Sequence, residues 1–250
     1  MQHIHLEPRQ VWGGNDATQR PVMMAGFEGF LSSQPYQGAP RGGDVYLLST
    51  CGRQVLSRVF LADVSGHGSE SVIKSAEGLR TILGQYVGQP NHEQLLYDLN
   101  AEIGDSDTAQ MTTMVVAGMY SGGNELIYAG AGHPPILRKR KGQPWQPLEE
   151  CVDDRRKGDI QDIPLGVLPG TSYQQHKVFL NQGDMLLFYT DAYTDLAGGR
   201  QGWIEAVDQL KSDTPEAIVQ TLQSRFPASE HDDATLICLQ VTSSGEKVTR

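Results

Sequence analysis

Hydrophobic and polar residues follow two different patterns along this chain, one typical of strands and one typical of helices. Short apolar runs typical of strands lie within residues 23–36, 44–48, 55–64, 111–120, 125–130, 185–191 and 234–241. Between these runs, apolar residues recur three and four positions apart, which predicts two helices after residue 70 and two after residue 200. The helical positions are Val72, Ile73, Ala76, Leu79, Ile82, Leu83 and Tyr86; Leu95, Leu96, Leu99 and Ile103; Trp203, Ile204, Val207 and Leu210; and Ile218, Val219, Leu222 and Phe226. Strands grouped with strands, and helices with helices, favour an α+β fold with antiparallel sheets.

The remaining segments set the predicted domain boundaries. Residues 1–22 lack periodicity and are expected to be a flexible lead-in or an edge strand. One domain is predicted over residues 23–243, followed by a tail at 244–250. Residues 138–163 are polar and are expected to form an exposed excursion. Their basic run at 138–141 fits either a solvated hairpin tip, which base rates favour, or a phosphate-binding patch.

Charge and cysteine usage narrow the class of protein. The formal net charge of −10 over 250 residues argues against a nucleic-acid binder, which would carry a basic patch. Cys51, Cys151 and Cys238 are odd in number and have no metal-ligand spacing, which predicts reduced thiols in a cytoplasmic protein. The N-terminus lacks an apolar signal core, and the run at 185–189 is too short to cross a membrane. We therefore expect neither a nucleic-acid nor a membrane partner.

Aspartates stand at the edges of several predicted strands. Asp44, Asp63, Asp191 and Asp232 each follow or precede an apolar run. A carboxylate at a buried strand end is costly to desolvate unless a cation receives it. Hard divalent cations prefer oxygen ligands, so convergence of these residues would indicate metal-dependent hydrolysis. Each residue also has a plainer interpretation: a turn for Asp44 and Asp191, a helix cap for Asp63 and a strand start for Asp232.

Six motifs occur in a characteristic order. They are Gly42-Gly43-Asp44, Asp63-Val64-Ser65-Gly66-His67-Gly68, Ala131-Gly132-His133-Pro134-Pro135, Pro164-Leu165-Gly166-Val167, Tyr189-Thr190-Asp191 and Asp232-Asp233-Ala234-Thr235-Leu236-Ile237. Together they resemble the PPM-type (PP2C-like) metal-dependent serine/threonine phosphatases, in the bacterial branch related to SpoIIE and RsbU. The resemblance covers residues 25–241. It implies a four-layer α-β-β-α sandwich of two antiparallel sheets flanked by helix pairs, with a dimetal site at one end.

The resemblance also assigns roles to individual residues. It implies that two divalent cations, Mn²⁺ or Mg²⁺, are bridged by Asp63, with the backbone carbonyl of Val64 beside it. Asp44 would serve the second cation, directly or through water, and Asp191 and Asp232 the first. Asp63 and Asp191 are the residues on which we expect catalysis to depend most. Two such cations would lower the pKa of a shared water, and the resulting hydroxide would attack phosphorus directly.

Other residues near these motifs have less certain roles. Asp233 is expected to support the site rather than to ligate. His67 follows the bridging aspartate by four positions, whereas eukaryotic relatives carry their histidine two positions after it. We therefore expect a turn histidine that caps the next helix, with a general acid as the alternative. Arg41 is expected to be a solvated arginine, with a contact to the substrate phosphate as the alternative.

Two further positions bear on the backbone of the site. His133, between Gly132 and Pro134, is expected to be structural. Ala192 stands where relatives carry glycine, and it would be strained if that position required positive φ. Such strain would distort the site slightly without removing a ligand.

The resemblance implies a phosphatase acting on a regulatory phosphoprotein, with an anti-anti-sigma factor of the STAS fold as the expected substrate in a partner-switching pathway. An upstream sensor or activator would control it, or the chain is a domain of a longer protein. Two alternatives stay open: a non-catalytic module that grips a phosphoprotein, and a metal-dependent hydrolase of a small phosphoester. The chain has no Gly-x-Ser-x-Gly elbow and no Gly-x-x-x-x-Gly-Lys loop, which disfavours serine hydrolases and NTPases.

Overall fold

The structure is a computed structural model that describes residues 4–104, 110–148 and 163–242. Its strands are β1 (Ile4–His5), β2 (Val11–Asp16), β3 (Thr18–Met24), β4 (Phe27–Gln34), β5 (Arg41–Thr50), β6 (Leu56–Val64), β7 (Thr112–Tyr120), β8 (Glu125–Ala131), β9 (Leu137–Lys139), β10 (Trp145–Pro147), β11 (Gln175–Phe179), β12 (Met185–Tyr189) and β13 (Ala234–Val241). Its helices are α1 (Glu70–Tyr86), α2 (His92–Gly104), α3 (Asp191–Leu196), α4 (Arg200–Asp208) and α5 (Pro215–Arg225). No helix in these ranges is long and apolar enough to cross a membrane.

The strands form two sheets. One has seven strands in the order β1-β3-β4-β13-β12-β9-β10, and the other has six in the order β11-β8-β7-β6-β5-β2. Neighbouring strands are antiparallel except for the short β1, which runs parallel to β3. Strands β5, β6 and β7 are consecutive in chain and in space, whereas β13, the last strand, inserts between β4 and β12.

Three apolar clusters define four layers. The first fills the space between the sheets and includes Leu31, Leu61 and Ile237. The second packs α1 and α2 on the six-stranded sheet, and the third packs α3, α4 and α5 on the seven-stranded sheet. The predicted α+β sandwich is thus confirmed. The short helix α3 was not predicted, because its six residues, Asp191–Leu196, are too few to show a helical period.

The polar segment after residue 137 differs from its prediction. Arg138 is buried in β9, and its guanidinium pairs with the equally buried Asp184. Trp145 and Leu148 are buried too, so the expected exposed excursion is wrong for this part of the segment. The tip of the β9–β10 hairpin, residues 140–144, is solvent-exposed as expected. Residues 149–162 lie outside the described ranges.

The N-terminal residues enter both sheets. β2 is the edge strand of the six-stranded sheet, and β1 is an edge strand of the seven-stranded sheet. β3 begins at Thr18 and pairs with β4 along its whole length. The predicted domain limits stay a prediction, and the tail at 244–250 lies outside the described residues.

Candidate functional site

Asp44 and Asp63 are direct cross-strand partners. Strand β5 pairs with β6 so that Asp44 stands opposite Asp63. Opposite residues of an antiparallel pair project from the same face with Cβ atoms about 4.5–5.5 Å apart, and like charges there repel. The register of two hydrophobic strands therefore forces two carboxylates together.

The two glycines before Asp44 make room for a third carboxylate. A Cβ atom on Gly42 would lie 2.2 Å from Oδ1 of Asp233, and one on Gly43 would lie 2.9 Å from the carbonyl oxygen of Val64. The Gly43 N–H instead donates to Oδ2 of Asp233 at 2.7 Å. The other oxygen of Asp233 accepts from the Tyr36 N–H at 2.8 Å. Both oxygens of this buried carboxylate are thus engaged with backbone.

Asp191 and Asp232 stand at the ends of two strands of the seven-stranded sheet. Asp191 is the first residue of α3, directly after β12, and Asp232 precedes β13. The two strands pair as far as Tyr189 and Leu236, which brings their ends to the same edge. The Thr190 hydroxyl joins this edge to the other sheet, because it donates to Oδ2 of Asp44 at 3.0 Å and accepts from the Thr235 N–H at 3.0 Å. The site therefore spans the space between the sheets.

The pKa values of the four acids are raised because the acids are buried and lie close to one another. Burial, followed by the charges of Asp191, Asp232 and Asp233, raises the pKa of Asp63 to about 8. Burial and then the Asp63 charge raise the pKa of Asp44 well above its usual range. The pKa values of Asp191 and Asp232 are also raised, by burial first and then by neighbouring charges. Acids that perturb one another in this way lie close together and resist ionisation in the absence of a counter-charge.

The donor set fits hard divalent cations. Oδ1 of Asp44 is buried and has no hydrogen-bond partner among the described residues. A cation would satisfy this oxygen and offset the repulsion between the carboxylates. No three Asp, Glu, His or Cys side chains in the described ranges stand at ligand spacing. The structure thus shows converging carboxylates without a formed dinuclear cage.

His67 lies in the turn between β6 and α1. Its ring is exposed and stacks on Tyr36, with ring centroids 4.2 Å apart. The expected cap role is wrong, because Ser69 caps α1 by accepting from the Val72 N–H. The imidazole is near enough to Asp232 for its charge to lower the pKa of that carboxyl, against the dominant effect of burial.

The remaining predicted residues lie around this core. Arg41 is exposed and forms an ion pair with Glu77 of α1. His133 is buried, and its Nδ1 lies 2.9 Å from the hydroxyl of Thr113, which is the cross-strand partner of Asp63. Burial lowers the pKa of His133 to about 3, so its imidazole is neutral. Ala192 lies within α3 and does not adopt positive φ, so the strain considered for it does not arise.

The structure adds several residues to which the sequence assigned no role in the site. Thr190, Thr113 and Tyr36 reach it through contacts that a sequence cannot show. Asp195 contributes charge to Asp191 and Asp232, and it lies four residues after Asp191 on the same helix. This spacing was the available signal, but it depends on recognising α3.

Comparison with known proteins gives consistent matches. A family model described as stage II sporulation protein E (SpoIIE) matches residues 56–242. The phosphoserine phosphatase RsbU of Bacillus subtilis (strain 168) is 26% identical over 159 residues, which span 59% of this chain and 44% of RsbU. This chain therefore aligns with less than half of that relative.

Solved structures share the fold. The RsbU and RsbW domains of Rv1364c from Mycobacterium tuberculosis superpose with a TM-score of 0.71 at 22% identity, covering 93% of this chain and 64% of that one. RsbX in complex with magnesium superposes with a TM-score of 0.68 at 14% identity, covering 90% of this chain and 100% of that one. At such identities the likeness extends to the fold alone.

Proposed function

The chain belongs to the SpoIIE family, and on this basis we propose that it is a metal-dependent phosphatase of phosphoserine or phosphothreonine in a protein substrate. The observation that carries the proposal is the convergence of Asp44 and Asp63 with Asp191 and Asp232 from two different sheets. RsbU, the relative matched by sequence, is itself named a phosphoserine phosphatase.

Two divalent cations, Mg²⁺ or Mn²⁺, would be held by Asp44, Asp63, Asp191 and Asp232 together with the backbone carbonyl of Val64. Bound there, they would supply an activated water and offset the charge on the phosphoryl oxygens. Asp63 and Asp191 are the residues on which turnover depends most.

The protein's own groups prepare this site before any cation arrives. Thr190 fixes one oxygen of Asp44 and leaves the other free. Asp233 is held through both oxygens, which suits it to supporting the Gly42–Asp44 backbone rather than to ligating. Groups that are already held in place need less reorganisation during the reaction.

For the substrate we propose a regulatory phosphoprotein, with an anti-anti-sigma factor of the STAS fold as the first candidate. The relative matched by sequence is named a phosphoserine phosphatase, and one structure of the same fold combines RsbU and RsbW domains. An upstream sensor or activator protein would control the activity. We place it in the cytoplasm, where thiols such as the free Cys51 and Cys238 stay reduced.

The test is turnover of a phosphoserine peptide and of an aryl phosphate, with and without Mn²⁺ or Mg²⁺. We expect activity with either cation and none after EDTA, because the ligand set is oxygen alone. Full turnover after exhaustive chelation would refute the metal-dependent mechanism.

The same assay separates the alternatives. A phosphopeptide that binds without being hydrolysed would indicate a non-catalytic module. Faster turnover of nucleotides than of phosphopeptides would indicate a small-molecule hydrolase. A pull-down with the inactive Asp63→Asn protein would then identify the phosphoprotein.

A further inference from the structure

The side chain of Asp44 is held by a hydroxyl group that belongs to the other sheet. Asp44 lies on β5 of the six-stranded sheet, whereas Thr190 directly follows β12 of the seven-stranded sheet. The Thr190 hydroxyl donates to Oδ2 of Asp44 at 3.0 Å, and the two residues are 0% and 2% exposed. A ligand candidate from one sheet is therefore fixed by a buried contact with the other.

The backbone of β13 fixes the direction of this hydrogen bond. The Thr190 hydroxyl also accepts from the N–H of Thr235 at 3.0 Å, and a backbone N–H can only donate. The hydroxyl hydrogen is thus left for Asp44. A second bond, from the Thr190 N–H to the Thr235 carbonyl oxygen at 3.2 Å, holds the two threonine backbones together. Thr190 consequently offers Asp44 a donor whose position is set by Thr235.

The hydroxyl network continues into the next strand. Ser33 of β4 stands opposite Thr235 of β13, and their hydroxyl oxygens are 3.1 Å apart. Alternate residues of a strand share a face, and Ile237, two residues after Thr235, belongs to the cluster between the sheets. The hydroxyls of Thr235 and Ser33 therefore face the interior of the sandwich, on the side from which Asp44 approaches.

Stability alone does not account for the hydroxyl of Thr190. Valine has the same shape as threonine, and an apolar side chain costs less to bury than a hydroxyl. The bond from Thr190 engages Oδ2 of Asp44, while Oδ1 has no hydrogen-bond partner among the described residues. A group that holds one carboxylate oxygen and leaves the other open suits an acid that must keep its orientation while it binds a cation.

We propose that Thr190 is a positioning residue for Asp44 as a metal ligand, and that Thr235 orients Thr190 for this task. The inference rests on the proposed metal-dependent phosphatase function and adds to it two residues outside the ligand set. Partners that orient a ligating side chain contribute about 10–100-fold to metal affinity.

The test is the affinity for Mn²⁺, measured by isothermal titration calorimetry in the absence of substrate. Thr190→Val keeps the shape of the side chain but removes the hydroxyl, and it should weaken the binding of at least one Mn²⁺ by about 10–100-fold. Thr190→Ser keeps the hydroxyl and should retain most of the affinity. A hydroxyl that only stabilised the fold would change the thermal midpoint and not this affinity.

The matched control is Thr50→Val. Thr50 is the last residue of β5, is 3% exposed, and its hydroxyl has no hydrogen-bond partner among the described residues. The same substitution at this position should leave the Mn²⁺ affinity unchanged. If Thr190→Val does not fold, Thr190→Ser and Thr190→Ala provide the comparison, since both lack the methyl group and only one keeps the hydroxyl.

Two results would overturn the inference while leaving the phosphatase function intact. One is wild-type Mn²⁺ affinity in Thr190→Val, and the other is an equal loss of affinity in Thr190→Val and Thr190→Ser. A wild-type protein that binds no Mn²⁺ and hydrolyses no phosphoester would instead refute the proposed function on which the inference rests.

Discussion

The ring of Tyr36 stacks on the imidazole of His67, with centroids 4.2 Å apart and planes inclined by 48°. The same tyrosine donates its backbone N–H to Asp233, and its ring edge lies 3.2 Å from where a Cβ atom on Gly68 would stand. One residue thereby connects the turn after Asp63 with the turn before β13. This contact holds His67 against Tyr36, in the turn that follows Asp63.

From this contact we expect His67→Ala to slow alkyl and aryl phosphates by the same factor, through weaker positioning of the turn after Asp63. A general acid would instead matter far more for the alkyl substrate, whose leaving group needs a proton and gains about 10²–10⁴-fold from acid catalysis. Measuring kcat on both substrates at saturating Mn²⁺ distinguishes the two. Tyr36→Ala should reproduce the uniform loss, and Tyr36→Phe, which keeps the ring, should not. A large loss confined to the alkyl substrate would assign His67 the acid role.

Asp63→Asn and Asp191→Asn should each reduce turnover by orders of magnitude while the fold persists. Each change keeps the shape of the side chain but replaces an anionic ligand with a neutral one. Without metal, Asp63→Asn should raise the thermal midpoint, because it removes a carboxyl whose ionisation is opposed in the folded protein by burial and by the charges of Asp191 and Asp232. Calorimetry in EDTA and rates at matched Mn²⁺ check both effects. The exposed Asp213→Asn is the control, and near-normal rates for both site variants would show that the wrong aspartates are assigned.

The buried pair Arg138–Asp184 is predicted to stabilise the seven-stranded sheet. Asp184 accepts from Arg138 Nε at 3.1 Å and from the Asn181 N–H at 2.8 Å, and both charged side chains are 3% exposed. Asp184→Ala leaves a buried cation uncompensated and should lower the free energy of unfolding by about 3–5 kcal/mol. Urea denaturation measures this change.

The control for that experiment is the exposed pair of Lys177 and Glu125, whose charged atoms are 3.1 Å apart. Glu125→Ala should change the free energy of unfolding by less than about 1 kcal/mol, because water screens this pair. Equal losses in the two variants would contradict the special role of the buried pair.

His92 should make the stability depend on pH. Burial, and then the positive charge of Arg58, lowers the pKa of His92 to about 4 from its ordinary 6.5. Between these values the unfolded chain binds more protons than the folded one, so stability falls as the pH falls from about 6.5 to 4. The limiting slope is about 1.4 kcal/mol per pH unit. His92→Phe should flatten the profile by this amount in urea titrations; parallel profiles for the two proteins would contradict the expectation.

Much of the fold could be predicted because its signals are local. Short stretches of sequence are enough to show the helical period of α1, α2, α4 and α5 and the apolar runs of the strands. The burial of Arg138 could not be predicted in this way, because it depends on Asp184, which lies 46 residues away. A basic residue in a polar run therefore looks solvated until its partner is known.

The candidate site shows the same division. Its aspartates were recognisable because they stand in ordered motifs beside apolar runs. The Thr190–Asp44 hydrogen bond spans 146 residues, and the hold of Tyr36 on Asp233 spans 197. The second contact follows from how β13 inserts between β4 and β12, and the first from how the two sheets pack on each other, and no local pattern reports either feature.

The division of the acids between two sheets has a mechanical consequence. Asp44 and Asp63 lie on strands of one sheet, whereas Asp191 and Asp232 stand at the ends of strands of the other. Cations held by all four acids would therefore bind only while the two sheets keep their relative position. Coordination distances are defined to within about 0.2 Å, so a displacement of one sheet against the other would weaken cation binding without changing a ligand residue.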